Sequence, residues 1–350
     1  MAYTTIDDAG LFFSPHLHTG TGAELVVSGV GFQPDFAWIK NRTNTDFHVL
    51  TDSVRGATKY VKSNDTTAET TNAQGLKSFD SDGYTLGTQN QVNENTANFV
   101  GWDWLAGTTT GIGSGDITPT GYSFNTTSGF SIVNYTGTGA NNTLPHGLGI
   151  IPKFWAIKNL DGATDWRCYH VGLDPTSPWD KNMVLNTTVL IDDSTSKWND
   201  TAPTTTVLTL GTDQGCNENT ANLIAYVWAE VKGFSKFGNY IGNGNADGPF
   251  VYTGFRPALT ITKSFSADAN SWYMLDRRRD NDGFNPANAR LEADGTGSEN
   301  TDAKQIDYLA NGFKIRTSDG GMNSSGTSYI YMSWAHSPLV NSNNVPTNAR

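Results

Sequence analysis

Asn93-Glu94-Asn95-Thr96-Ala97-Asn98-Phe99-Val100-Gly101-Trp102-Asp103-Trp104 is a phrase that this chain repeats twice more. It returns as Asn217-Glu218-Asn219-Thr220-Ala221-Asn222-Leu223-Ile224-Ala225-Tyr226-Val227-Trp228. A more worn copy reads Asn323-Ser324-Ser325-Gly326-Thr327-Ser328-Tyr329-Ile330-Tyr331-Met332-Ser333-Trp334. A second shared phrase lies upstream of each, a Pro followed by a Lys six residues later: Pro34 and Lys40, Pro152 and Lys158, Pro257 and Lys263. The Asn phrases begin at 93, 217 and 323, and intervals of 124 and 106 residues suit a small domain rather than a solenoid unit. One module written three times speaks for a structural or binding protein. Catalysis needs an asymmetric constellation, whereas repetition gives reach, area and valency.

Working outward, each copy opens with an apolar strand that runs into a Gly-x-Gly turn, at Gly20-Thr21-Gly22, Gly137-Thr138-Gly139 and Gly242-Asn243-Gly244. No GK[ST] follows, so these are not nucleotide loops. After each Pro, apolar residues alternate along a strand: Phe36 and Trp38, Phe154 and Ala156, Leu259 and Ile261. The Lys ending that strand is expected to lay its stem on the sheet and expose its amine. The closing phrase places Trp102/Trp104, Tyr226/Trp228 and Tyr331-x-x-Trp334 on a strand, and the three last Trp are expected core residues. Short strands parted by Gly, Asn and Asp turns predict an all-β chain of three tandem antiparallel β-sandwich modules. Their expected bounds are 1–107, 128–232 and 233–338, with a Gly/Thr-rich linker at 108–127 and a polar C-terminal tail at 339–350 that alone should fray.

Composition agrees with sheets and tight turns. Glycine, 37 of 350 residues, is enriched over the usual ~7 %, and charged residues are only 16 % against a usual ~25 %. A net charge of −11 argues against nucleic-acid binding, which needs a basic face. No apolar run reaches the ~20 residues of a spanning helix, so no membrane insertion is expected. Met1–Asp8 has neither a basic region nor an apolar stretch, so no signal peptide is expected. Cys168 and Cys216 are either one bridge or two free thiols.

Candidate chemistry is sparse. The six His lack metal-ligand spacing, and Cys168 with His170 supplies two ligands where zinc needs more. Asp80-Ser81-Asp82-Gly83 and Asp280-Asn281-Asp282-Gly283 start like calcium loops, but their twelfth positions are Gln91 and Leu291 instead of Glu, so no metal is expected. Asp103 would suit a glycosidase acid, yet its counterparts are Val227 and Ser333 and no second carboxylate can be nominated. Arg277-Arg278-Arg279 is the one basic run; Asp276, Asp280 and Asp282 neutralise it, and it reads as a solvated or interface loop ahead of an anion site. Trp179 and Trp198 lie in polar insertions peculiar to the second copy. They are either lids on their own domain or contacts for a sugar ring or partner protein, and they are the ligand candidates.

Met1–Asp8, Gln33-Pro34-Asp35-Phe36-Ala37-Trp38-Ile39-Lys40-Asn41-Arg42, Asp52-Ser53-Val54-Arg55-Gly56 and Ser78-Phe79-Asp80-Ser81-Asp82-Gly83-Tyr84-Thr85-Leu86 resemble a repeat family in virion structural proteins of marine tailed bacteriophages. Asn311-Gly312-Phe313-Lys314-Ile315-Arg316 and Ser328–Ala335 are similar to the same family. The resemblance implies a concanavalin-like (jelly-roll-like) β-sandwich and membership of a phage particle, and it carries over no catalytic residue. The second copy departs by lacking the Asp-Ser-Asp-Gly turn. The expectation is therefore a non-enzymatic, cofactor-free virion protein made in the host cytoplasm, a tail-fibre or receptor-binding component that touches a host-surface glycan or envelope protein. The alternatives are a head-decoration or head-fibre protein bound to the capsid lattice, and a glycan-degrading tail enzyme. Its partners would be other virion proteins and further copies of itself, a trimer being the expectation for fibres.

Overall fold

Each closing phrase becomes the middle strand of a large antiparallel sheet, because its alternating bulky residues can be buried on both faces. The computed structural model describes residues 3–267, 269–280, 284–302 and 304–347. The chain is all-β, with 41 % of residues in strands and 6 % in helix. Asn98–Trp104 lies between Phe13–Thr19 and Phe36–Asn41. Asn222–Ala229 lies between Phe130–Thr136 and Pro152–Asn159, and Ser328–Pro338 between Ser235–Ile241 and Phe255–Ser264. The registers match: Trp104 stands opposite Phe13 and Phe36, Trp228 opposite Phe130 and Phe154, and Trp334 opposite Ser235 and Leu259. A further strand continues each sheet beyond the Pro-Lys strand, at Val49–Asp52, Arg167–His170 and Tyr273–Asp276.

Period-two alternation then sorts the side chains. Val100, Trp102 and Trp104, Ile224, Tyr226 and Trp228, and Ile330, Met332 and Trp334 all enter one shared core. There the three closing Trp rings meet edge to face, with centroids 5.9, 5.3 and 6.0 Å apart. Such offset aromatic contacts add roughly 0.5–1.5 kcal/mol per pair beyond area burial. The intervening residues face three separate cores, beneath small companion sheets. Phe99 packs with Val27, Tyr84 and Leu86; Leu223 and Val227 with Leu144, Leu208 and Leu210; and Tyr329 and Tyr331 with Val251, Phe313 and Ile315. Tyr331 therefore does not share a face with Trp334, since three steps along a strand reverse the face, and Met332 takes the expected place.

The opening Asn of the phrase has a local task. Asn93, Asn217 and Asn323 are buried, and their side-chain amides donate to Gly87 O, Gly211 O and Thr317 O, each at 2.7 Å. Their Oδ1 atoms accept from the middle residue of the Gly-x-Gly turn, Thr21 N, Thr138 N and Asn243 N, each at 2.8 Å. The first Gly leaves no room for a side chain, since a Cβ on Gly20, Gly137 or Gly242 would lie 2.1–2.2 Å from a carbonyl oxygen of the phrase. The second Gly sits at φ +67, +66 and +68°. Two motifs far apart in sequence are thus one staple.

One expectation about connections is corrected. Residues 108–127 are not a linker: Gly121–Asn125 adds an edge strand to the second large sheet, Thr108 pairs with Phe124, and Ile112 and Ile117 are buried in its core. Those apolar residues anchor the Gly/Thr-rich stretch. The tail is pinned over its described part, with Ser342 N and Oγ donating to the Asp7 carboxylate at 2.6 and 2.7 Å and Leu339 N donating to Gly254 O.

Candidate functional site

The three copies meet along three seams, and the same turn builds each one. It follows Asp52, His170 and Asp276, which occupy one register opposite Phe36, Phe154 and Leu259. At the first seam the buried Asp52 pairs with the buried Arg55 and accepts a hydrogen bond from Tyr226 Oη of the second copy at 2.7 Å. Arg55 also reaches Glu69 and donates to Leu50 O and Tyr226 Oη. At the third seam Asp276 and Arg279 repeat this, with Trp102 Nε1 of the first copy donating to Asp276 Oδ2 at 3.0 Å. Glu299 joins Arg279 and is clamped by two 2.8 Å bonds from Arg42 of the first copy. The Arg42 and Arg279 charges hold the Glu299 carboxyl below its usual value although burial opposes them.

At the middle seam a His stands at the matching register. His170 Nε2 donates to Tyr331 O of the third copy at 3.1 Å, and His170 Nδ1 accepts from Gly172 N at 2.9 Å. Both ring nitrogens are committed in the neutral form, and burial drives the imidazole down to about 3.

The Pro-Lys lysines also serve the seams, which overturns the expected exposed amine. Lys40, Lys158 and Lys263 are fully buried. Each amine donates to a carbonyl of the preceding copy in the ring: Lys40 to Thr296 O at 3.3 Å, Lys158 to Thr66 O at 3.0 Å, and Lys263 to Thr188 O at 2.9 Å. Burial lowers all three to about 8. Ring-nitrogen donors add parallel stitches, Trp166 Nε1 to Lys62 O, Trp272 Nε1 to Val184 O, and His48 Nε2 to Glu292 O. The contacts run from second to first, third to second and first to third, so the ring is closed.

The third seam carries a cavity. Between the third and first copies a pocket of ≈270 Å³ is lined by His16, Ser14 and Gly29 on one side and by Arg277, Arg278 and His336 on the other. Burial first and the Arg278 charge second hold the His16 imidazole below its ordinary value, with Asp82 acting in the opposite sense.

A family model described as a domain of unknown function (DUF7483) matches residues 8–338, spanning all three copies of the phrase. The chain belongs to this family. No curated protein and no solved structure matches it.

Within this DUF7483 chain the residues singled out in the sequence fall far apart. Trp198 is corrected: it is 1 % exposed, donates from Nε1 to Lys181 O and meets Trp155 edge to face, so it is a core residue and no ligand contact. A one-turn helix, Thr195–Trp198, turns its ring inward from a polar stretch. Trp179 is half-buried, on a short 3-10 turn against the same core. Of the basic run expected in a solvated or interface loop, Arg279 has its side chain fully buried in the third seam, while Arg277 and the exposed Arg278 line the cavity. Asp103 is sealed inside the first outer core, where burial pushes its carboxyl well above the usual range, with Tyr84 nearby. Cys168 and Cys216 are both free and belong to different cores.

Asp80 and Asp82 spend their oxygens inside the fold, on Ser78 and Thr85 hydroxyls and on Gly29 and Gly31 amides. Asn281–Gly283 of the second Asp-rich turn lies outside the described residues. Among the described residues no group of three or more His, Cys, Asp or Glu is arranged for a metal ion. The seam clusters were missed in the sequence, although Asp-x-x-Arg stands at the same place in two copies, 52–55 and 276–279, and was visible there.

Proposed function

We propose that the chain is a non-enzymatic structural protein of a tailed-phage particle, a tail-fibre or receptor-binding component, built as three β-sandwich modules around one threefold core. The observation that carries this reading is where the repeated residues go. The closing Trp and the Pro-Lys amine are consumed in holding the three copies to one another, and the opening Asn with its Gly-x-Gly turn in stapling each copy internally. Repetition is here spent on a stiff body that presents loops, which suits attachment and recognition. The resemblance of the quoted phrases to virion repeat proteins supports the same direction. The one acid considered for glycoside cleavage, Asp103, is buried away from solvent, which removes it as a candidate for that chemistry.

Electron microscopy of intact particles from a producing host, with the chain fused to a recognisable domain, tests the proposal. Extra density at the tail is expected. Density on the capsid faces would reassign the chain to head decoration, and its absence from purified particles would overturn the virion reading.

A further inference from the structure

One position of the closing phrase is filled differently in each copy, by Asp103, Val227 and Ser333. All three are fully buried and face the outer cores. Val227 packs among Leu144, Leu208 and Leu210. Ser333 Oγ donates to Leu259 O at 3.1 Å and lies 2.7 Å from Thr260 Oγ1. Asp103 has no such arrangement. Both of its carboxyl oxygens are buried, and neither has a hydrogen-bond partner among the described residues. Across the sheet it stands opposite Ser14 on one side and Ala37 on the other.

A second acid lies beside it. Tyr84 Oη is buried and likewise unpartnered. A Cβ on Gly101 would lie 2.5 Å from this oxygen and 3.4 Å from Asp103 Oδ2. Gly101 therefore admits the hydroxyl, at a position where the other copies carry Ala225 and Tyr331. The residues that match Tyr84 in register are Leu208 and Phe313, which have no hydroxyl. Only the first copy thus sets a carboxyl near a phenol, in a core otherwise built of residues such as Val27, Ile39, Leu86 and Phe99. The other titratable side chains facing this core are Tyr60, whose hydroxyl donates to Gln91 Oε1, and His16 and His18 on the opening strand. Burial holds both imidazoles below their ordinary value, so neither offers a cation as Asp103 ionises. A carboxylate sealed from water without a cation or a donor is so unfavourable that the group keeps its proton instead. Burial is the cause that raises Asp103, and it raises Tyr84 as well, with Asp103 second.

We propose that Asp103 is a pH-sensitive latch of the first copy: the folded chain holds it protonated, and its ionisation as pH rises loosens the companion sheet of Leu25–Ser28, Leu76–Asp80 and Gly83–Leu86 while the other two outer cores keep their packing. The direction follows from the proton. The folded chain retains it well above 3.8, where the unfolded chain has lost it, so the contribution of Asp103 is whole below pH 3.8 and is lost as pH rises toward the folded value. The proposal stands independently of the virion reading, and particle microscopy does not bear on it.

Urea midpoints of the full chain, of Asp103→Asn and of Asp103→Val, taken between about pH 4 and about pH 8, decide it, because every other titration is common to the three proteins. Across that range the folding equilibrium of either variant should gain about tenfold or more on the parent, the factor carried by one pKa unit. A gap that stays constant with pH would overturn the proposal. Asp103→Val installs the second copy's residue and carries the test should Asp103→Asn fold poorly. Infrared difference spectra at neutral pH read the proton directly. The parent should show a protonated-carboxyl band that the variants lack, and its absence would overturn the latch. Hydrogen exchange read by mass spectrometry and corrected for intrinsic rates then locates the effect. Residues 76–86 should lose protection as pH rises while 207–210 and 312–315 keep theirs, and parallel losses in all three would overturn a latch confined to the first copy.

Discussion

The third copy is joined to the second and to the first by the same turn, and the two seams use opposite chemistry. Where second meets third, the neutral His170 bridges to a backbone carbonyl and Gly172 lies against Gly238. Where third meets first, Asp276 and Arg279 form a buried ion pair extended by Glu299 and Arg42, and Arg278 borders a cavity. Identical register at both places means that the backbone did not dictate the difference. A seam needs its polar atoms satisfied, and a neutral or a charged solution serves equally. What differs is how each fails, because a buried charge that loses its partner is penalised far more than a neutral donor that does.

The sharpest test removes the acid. Asp276→Ala leaves the buried Arg279 guanidinium with Glu299 and the Met274 carbonyl, and should cost about 3–5 kcal/mol in urea unfolding. His170→Ala at the matching position strands a carbonyl and an amide and should cost about 1–3 kcal/mol. Equal losses for the two would break the comparison.

Acid should then separate the seams by a different route. The His170 pKa is about 3 in the folded chain against 6.5 unfolded, with burial as the first cause. Because the folded value is depressed, the unfolded chain takes up the proton first. The contribution of His170 is complete above pH 6.5 and is lost as pH falls toward about 3. Between pH 6.5 and 5 the parent should lose about 2 kcal/mol that His170→Gln does not, read from urea midpoints at the two pH values.

Lys158→Met probes a feature common to all seams. It leaves the carbonyls of Thr66, Asn159, Gly162 and Thr164 without their shared donor and should cost about 1–3 kcal/mol. Arg278→Val, which installs the first copy's residue in the third, should change stability by less than about 0.5 kcal/mol, since Arg278 is exposed. A larger destabilisation in a thermal melt would mean that Arg278 supports the seam after all.

Much of the architecture was legible because it is local. Alternation along the closing strand and the Gly-x-Gly turn can be read from residues a few steps apart, and the strands fell where that pattern placed them. What was misread depended on a second layer of protein. The Lys amines looked like strand-end surface groups until the neighbouring copy covered them. Trp198 looked like a loop aromatic until its helical turn folded inward, and the 108–127 stretch looked like a linker until Ile112 and Ile117 found a core.

By itself, then, the sequence determined that the chain is all-β and that one phrase is written three times, since period and repetition survive without knowledge of contacts. Only the tertiary structure decided that the three copies close on a single cluster of Trp104, Trp228 and Trp334. It also decided that Asp-x-x-Arg is a seam clasp and that a pocket lies between the third and first copies. The physical reason is that the seams join residues remote in sequence, such as Tyr226 with Asp52 and Arg42 with Glu299, and no local pattern records which of those residues will meet.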